Sequence, residues 1–157
     1  MPRRPPHELR AAGTGRQDDG AVSTLLVSTC PGPPVCRAVH TYLFVDGLDV
    51  IARSDDRMAG LGPDLLLRPG GPLCPTDAPR EVEVAAEAGP EPGPDRLTVR
   101  IRLRGGTVVW SGLAYPGPGG DPVEEIRFHP TQYLAEIERA GAATRERPAN
   151  SPPGSPG

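Results

Sequence analysis

The sequence predicts an α+β fold: an antiparallel sheet of about five or six strands in hairpins, with one C-terminal helix packed on a face and disordered tails. Three observations carry this. Leu97, Val99, Ile101 and Leu103 alternate with Arg96, Thr98, Arg100, Arg102 and Arg104, then Gly105-Gly106 leads into Val108-Val109-Trp110. Alternation at period two marks a half-buried strand, and a Gly-Gly loop between such runs marks a tight hairpin. Upstream, Asp46-Gly47, a dipeptide suited to a two-residue hairpin turn, divides residues 40–45 from 48–53. Downstream, Tyr133, Leu134, Ile137 and Ala140 recur at helical spacing.

Composition sets the limits of the domain. Gly (20) and Pro (22) exceed a quarter of the 157 residues, as in low-complexity chains. Residues 1–38 and 141–157 are rich in Pro, Gly, Arg and Ser and lack periodicity, whereas 39–140 holds most of the β-branched, aromatic and leucine side chains. The expected organisation is a low-complexity arm over 1–38, a single α+β domain over 39–140, and a Pro/Gly/Ser tail over 141–157. Two readings stand for the arm: a disordered segment, or a stretch outside the native gene product, whose start would be Val39.

All 17 basic residues are Arg against 20 acids, a net charge of −3, and the acids concentrate in 39–140. An acidic domain repels phosphate backbones at long range, so no nucleic-acid partner is expected. The Arg-only usage reads first as the codon bias of a GC-rich genome. No stretch approaches the roughly 20 apolar residues of a membrane span. The apolar run 22–27 is short for a signal peptide and is preceded by Asp18-Asp19. A cytoplasmic protein without membrane association is expected.

The elements follow in order. Residues 40–45 and 48–53 pair Val45 with Leu48 and Phe44 with Asp49, with both faces largely apolar, so this hairpin is expected to be central and covered on both sides. Within the loop 54–79, Pro63 suits a first helical position, with Leu65-Leu66-Leu67 packing inward. Residues 80–87 put Val82, Val84 and Ala86 inward. If Val82 lies opposite Ile101, Glu81 faces Arg102, Glu83 faces Arg100 and Glu87 faces Arg96, a row of exposed cross-strand ion pairs. Read so, the arginine row is neutralised rather than an anion-binding face. The Gly105-Gly106 turn pairs Leu103 with Val108 and Ile101 with Trp110. A short strand holds Ile126 and Phe128, and a helix runs from Pro130 to about Ala140, with His129 as cap, Gln132 at the third position and Gly141 as the stop.

The residues carry no recognisable reaction. The imidazoles of the domain, His40 and His129, read as a strand start and a helix cap. Ser111 lacks the G-x-S-x-G elbow, and Gly117-Pro118-Gly119-Gly120 has proline where a phosphate loop needs amide donors. Cys30, Cys36 and Cys74 lack metal-ligand spacing and read as incidental thiols. No catalytic residue, no metal and no cofactor is expected. Trp110, Tyr115 and His129 are the candidates for lining a ligand pocket.

The succession Leu43-Phe44-Val45-Asp46-Gly47, Gly62-Pro63-Asp64-Leu65-Leu66, Gly71-Pro72-Leu73, Arg80-Glu81-Val82, Leu97-Thr98-Val99, Val108-Val109-Trp110-Ser111 and Phe128 through Gln132-Tyr133 to Ile137 resembles a family of small α+β proteins from high-GC bacteria. The resemblance covers residues 39–140. That family has no assigned activity, so the resemblance brings no catalytic residues. Members often carry a cysteine cluster between the two middle strands. Residues 88–94 here are Ala-Gly-Pro-Glu-Pro-Gly-Pro, so a metal or redox role attached to that cluster is not implied for this chain. His129 stands where the family pattern has an aspartate cap.

The expected function is a non-catalytic protein-interaction module with a protein partner. The alternative is an enzyme or small-ligand-binding domain with its site in the loops 54–79 and 116–122.

Overall fold

In the computed structural model, which describes residues 21–31, 38–54, 57–113 and 124–146, the alternating segments form strands, but in two antiparallel sheets rather than one. The first sheet is ordered β1 (Leu25–Pro31), β2 (Val39–Val45), β3 (Leu48–Asp49). The second is ordered β4 (Met58–Gly60), β5 (Arg80–Glu87), β6 (Arg96–Arg104), β7 (Thr107–Ser111), β8 (Ile126–Phe128). A one-turn helix α1 (Pro63–Leu66) follows β4, and α2 (Pro130–Glu146) ends the fold. The fold class is α+β.

The largest departure from the sequence expectation is β1. It lies inside the stretch that composition assigns to the arm, yet it pairs with β2 from Leu25 opposite Val45 to Pro31 opposite Val39. Leu25 and Val27 are buried in the core, while Leu26, Ser28 and Cys30 point outward. The folded unit therefore begins upstream of Val39. It also continues past Ala140 to Glu146.

Both turns form as the dipeptides demand. Asp46 and Gly47 have φ of 51° and 81°, and Gly105 and Gly106 have φ of 56° and 75°. The pairs Phe44–Asp49 and Val45–Leu48, and Ile101–Trp110 and Leu103–Val108, match the expected registers. However, β3 leaves the ladder after Asp49, because the Asp49 carboxylate accepts the N–H groups of Ile51 and Ala52 at 2.9 Å and turns the chain. The hairpin is not covered on both sides: Thr41, Leu43 and Val45 are buried, whereas His40, Tyr42 and Phe44 are half-buried.

The β5–β6 register differs from the expected one by two residues at Glu81 to Glu83 and by one beyond them. Val82 lies opposite Val99, Glu81 opposite Arg100 and Glu83 opposite Thr98, and the register then shifts between Glu83 and Ala85. The extra residue, Val84, makes a β-bulge that also reverses the alternation, so Ala85 rather than Ala86 joins Val84 in the core. The expected ion pairs of Glu81, Glu83 and Glu87 with Arg102, Arg100 and Arg96 do not form. Instead Glu83 meets Arg96 at 3.2 Å and Glu87 meets Arg57 at 3.6 Å.

The two sheets close on each other at two points. Ser23 donates its N–H to the Arg127 carbonyl at 2.7 Å, beside a parallel bridge to Phe128. Thr41 donates to the Leu61 carbonyl at 3.1 Å. A side chain at Gly60 would collide with the Thr41 carbonyl, so glycine is what lets β4 approach β2. Leu25, Val27, Leu43 and Val45 from one sheet and Val82, Val99, Ile101, Val108 and Trp110 from the other share one core. Burial of such side chains, about 1.5–3 kcal/mol each, is the main driving force of folding.

The α1 helix starts at Pro63 as expected, but Leu65 is 53% exposed while Leu66 and Leu67 are buried. In α2, Gly141 is not a stop. It is a buried mid-helix residue, and a Cβ there would lie 2.8 Å from the Leu67 carbonyl oxygen. Its role is close approach to the end of α1, and residues 142–146 (Ala-Ala-Thr-Arg-Glu) carry the helix on. Among the described residues no helix is long and apolar enough to cross a membrane.

On intrinsic propensity alone, Gly141→Ala would stabilise the helix by roughly 1 kcal/mol. Here it is expected to destabilise, because the new methyl must displace the Leu67 backbone; a raised denaturation midpoint would refute this close-approach role. A chain beginning at Val39 lacks β1 and is expected to lose its cooperative thermal transition in circular dichroism. A melt matching that of the full chain would show β1 to be dispensable.

Candidate functional site

Trp110, Phe128 and Tyr133 form the centre of the core. Trp110 stacks edge-on to Phe128 at 5.1 Å between ring centroids and to Tyr133 at 6.1 Å. The Trp110 indole N–H donates to the Tyr133 hydroxyl at 3.1 Å, which donates onward to the Leu73 carbonyl at 2.7 Å. Burial pushes the Tyr133 phenol well above its ordinary range. Both buried donors are thus satisfied, the indole N–H by the Tyr133 hydroxyl oxygen and the hydroxyl by the Leu73 carbonyl.

This arrangement decides the expected pocket residues. Trp110 is 1% exposed and fully engaged in the core. His129 is the helix cap: its Nδ1 accepts the Thr131 N–H at 3.2 Å and its carbonyl accepts the Tyr133 N–H at 3.0 Å. Tyr115 lies outside the described residues, as do the loop 116–122 and Cys36. The clefts described below are lined by neither Trp110 nor His129.

The polar chemistry that sequence reasoning missed lies between α2 and β1. Gln132, Glu136 and Arg139 fall at i, i+4 and i+7, one stripe of the helix. The expected capping role of Gln132 is replaced: its amide accepts the Leu25 N–H at 3.1 Å and donates to the Leu25 carbonyl at 2.7 Å. Two residues along β1, Glu136 accepts the Val27 N–H at 2.8 Å and Arg139 donates to the Val27 carbonyl at 2.8 Å. Arg139 also binds Glu136 directly. Three side chains thereby stand in for a neighbouring strand. The Glu136 carboxyl is held below its ordinary range, chiefly by the Arg139 guanidinium and also by the Val27 N–H, against the opposing effect of burial.

Two outer surfaces contrast in charge. The outer face of the first sheet carries Leu26, Ser28 and Cys30 from β1, His40, Tyr42 and Phe44 from β2, and Asp49 from β3. Leu26 is 50% exposed. The Asp49 carboxylate is occupied by the turn, and His40 Nδ1 lies 3.0 Å from the Gly60 carbonyl. The outer face of the second sheet instead carries Arg100, Arg102 and Arg104 on β6 and Arg127 on β8. A cleft of about 260 Å³ runs between β1 and α2, along Leu26 to Thr29 and past Ala140 and Ala143. Another, of about 300 Å³, takes Leu67 to Gly70 and Cys74 from the loop 54–79 and meets Leu134 and Ile137.

Among the described residues no three His, Cys, Asp or Glu side chains converge to hold a metal ion. Each perturbed carboxylate has a structural partner: Asp46 accepts the Thr24 N–H, Glu125 pairs with Arg104, and Glu136 with Arg139. Comparison with known proteins finds no family model, no curated protein and no solved structure that matches the chain.

A depressed folded-state carboxyl contributes stability above its unfolded value near 4.5 and loses it as pH falls through the folded value. Glu136→Gln is therefore expected to cost about 1 kcal/mol at neutral pH, a modest figure because Arg139 is half exposed. The difference from the unsubstituted chain should shrink in acid. Denaturant titrations at several pH values check this, and a pH-independent difference would refute it.

Proposed function

We propose that this protein is a non-catalytic protein-interaction module that docks its partner on the outer face of the first sheet. One observation carries the reading: in a chain with 24% charged residues, Asp49 is the one acidic or arginine side chain among the described residues of β1, β2 and β3 on this face, which sets half-exposed Leu26 directly opposite Phe44 and beside Tyr42. Interface cores are depleted in charge and enriched in aromatic residues, and an adjoining apolar patch on a sheet marks a contact surface. The perturbed carboxylates support the same reading, since each serves a structural partner rather than standing as a paired acid and base. The reading has the protein working in the cytoplasm, with Cys30 exposed and unpaired as suits a reducing compartment.

The test is affinity capture from the native host with the full chain, comparing Leu26→Asp with Leu134→Asp. Both positions are exposed, but Leu134 lies on α2, away from the face. One stoichiometric partner should be retained by the unsubstituted chain and by Leu134→Asp, and be lost on Leu26→Asp. Loss from neither or from both would overturn the assignment of this face.

A further inference from the structure

We propose that the outer face of β6, β7 and β8 is a second docking surface, one that takes an extended, carboxylate-rich segment of a protein partner. This goes beyond the reading above, because it rests on a different sheet and names the chemistry of what binds there.

The face is built by register. Arg102, Val109 and Arg127 lie side by side across the three strands, with Arg104 beside Thr107 and Arg100 beside Ser111. Arg100, Arg102 and Arg104 alternate with the buried Val99 and Ile101 and the inward Leu103, so they project from the opposite side. Val109 is 1% exposed although it lies outside the core cluster, and the aliphatic stems of Arg102 and Arg127 flank it in register. A cleft of about 200 Å³ opens here, bounded by Arg104, Thr107, Val109 and Arg127.

One half of this face already shows what it binds. The Glu125 carboxylate is gripped by both terminal nitrogens of Arg104, at 3.1 and 2.8 Å, and lies 3.7 Å from Arg127. The other half holds no such group. Arg100 and Arg102 have neither a hydrogen bond nor an ion pair among the described residues, and the Arg102 Nε–H is buried with no acceptor. A buried donor left unmade is costly, so an acceptor belongs there. The register is the reason: Glu83 lies opposite Thr98 and pairs with Arg96, and Glu81 lies across from Arg100 without an ion pair among the described residues. The acids that would have neutralised the row are used elsewhere or fall short.

Guanidinium forks bind carboxylate and phosphate alike. Carboxylate is favoured because Glu125 is the group already seated on the face. Spacing agrees. Same-face arginines recur about every 6.6–6.8 Å along β6, the repeat of alternate side chains in an extended peptide. Acidic residues at every second position therefore meet successive guanidiniums.

The test uses the full chain and a fluorescein-labelled peptide with Glu at alternate positions, read by anisotropy, against its Gln counterpart. The Glu peptide should bind saturably and more weakly as salt rises, and the Gln peptide should not bind. Arg100→Gln with Arg102→Gln should weaken binding at least about tenfold, while Arg53→Gln on the other sheet's turn leaves it unchanged. Because neither β6 arginine has a partner to lose, the double variant should keep its melting temperature. No saturable binding, an equal loss in Arg53→Gln, or tighter binding of an oligothymidylate to the same arginines would overturn the proposal. If the Glu peptide fails while Leu26→Asp still abolishes capture, this inference falls and the module reading stands.

Discussion

An edge strand presents a row of N–H and C=O groups that must be paired, wetted or covered. In this protein β1 has β2 on one side, and on the other it has the side chains of Gln132, Glu136 and Arg139. The rest of the architecture depends on that substitution of side chains for a strand. It fixes α2 against the sheet at the depth where Tyr133 reaches Trp110 and Leu73, and it holds β1 where Ser23 can join the second sheet through Arg127. An apolar stripe could bury α2, but it could not satisfy the Leu25 and Val27 backbone groups two residues apart. The alternation of amide, carboxylate and guanidinium along the helix does both.

The same economy explains the contrast between the two sheets. Each has an inner face in the common core, and each spends its outer face differently. On the first sheet the acids that would face solvent are taken up locally: Asp46 receives the Thr24 N–H, and Asp49 turns the chain. On the second sheet Glu83 is taken up by Arg96 and Glu125 by Arg104, while Arg100 and Arg102 on β6 have no ion pair among the described residues.

Trp110 and His129 show why pocket-lining roles are hard to assign from residue type. A tryptophan and a histidine near a loop suggest a site, yet the tryptophan is core and the imidazole serves the first turn of α2. What distinguishes them is the partner each finds, and the partners, Tyr133 and Thr131, come from the helix that follows. Conversely, Gln132 reads from the sequence as a capping residue and nothing local singles out Glu136 or Arg139, because their partners lie more than a hundred residues upstream.

The sequence by itself determined the α+β class, the turns at Asp46-Gly47 and Gly105-Gly106, the β6–β7 register and the start of α2 at Pro130. These depend on period-two alternation and on φ preferences, both local properties of the chain. Tertiary structure alone decided that β1 belongs to the fold, that the strands divide into two sheets, that Val84 bulges, and that Gly141 continues a helix instead of ending it. Each of these is settled by what arrives from a distant part of the chain: β2 and α2 beside Leu25 and Val27, β4 beside Ala85, the Leu67 carbonyl against Gly141. Local pattern encodes which residues prefer to be extended, helical or buried, whereas pairing partners and close approaches are set by long-range packing.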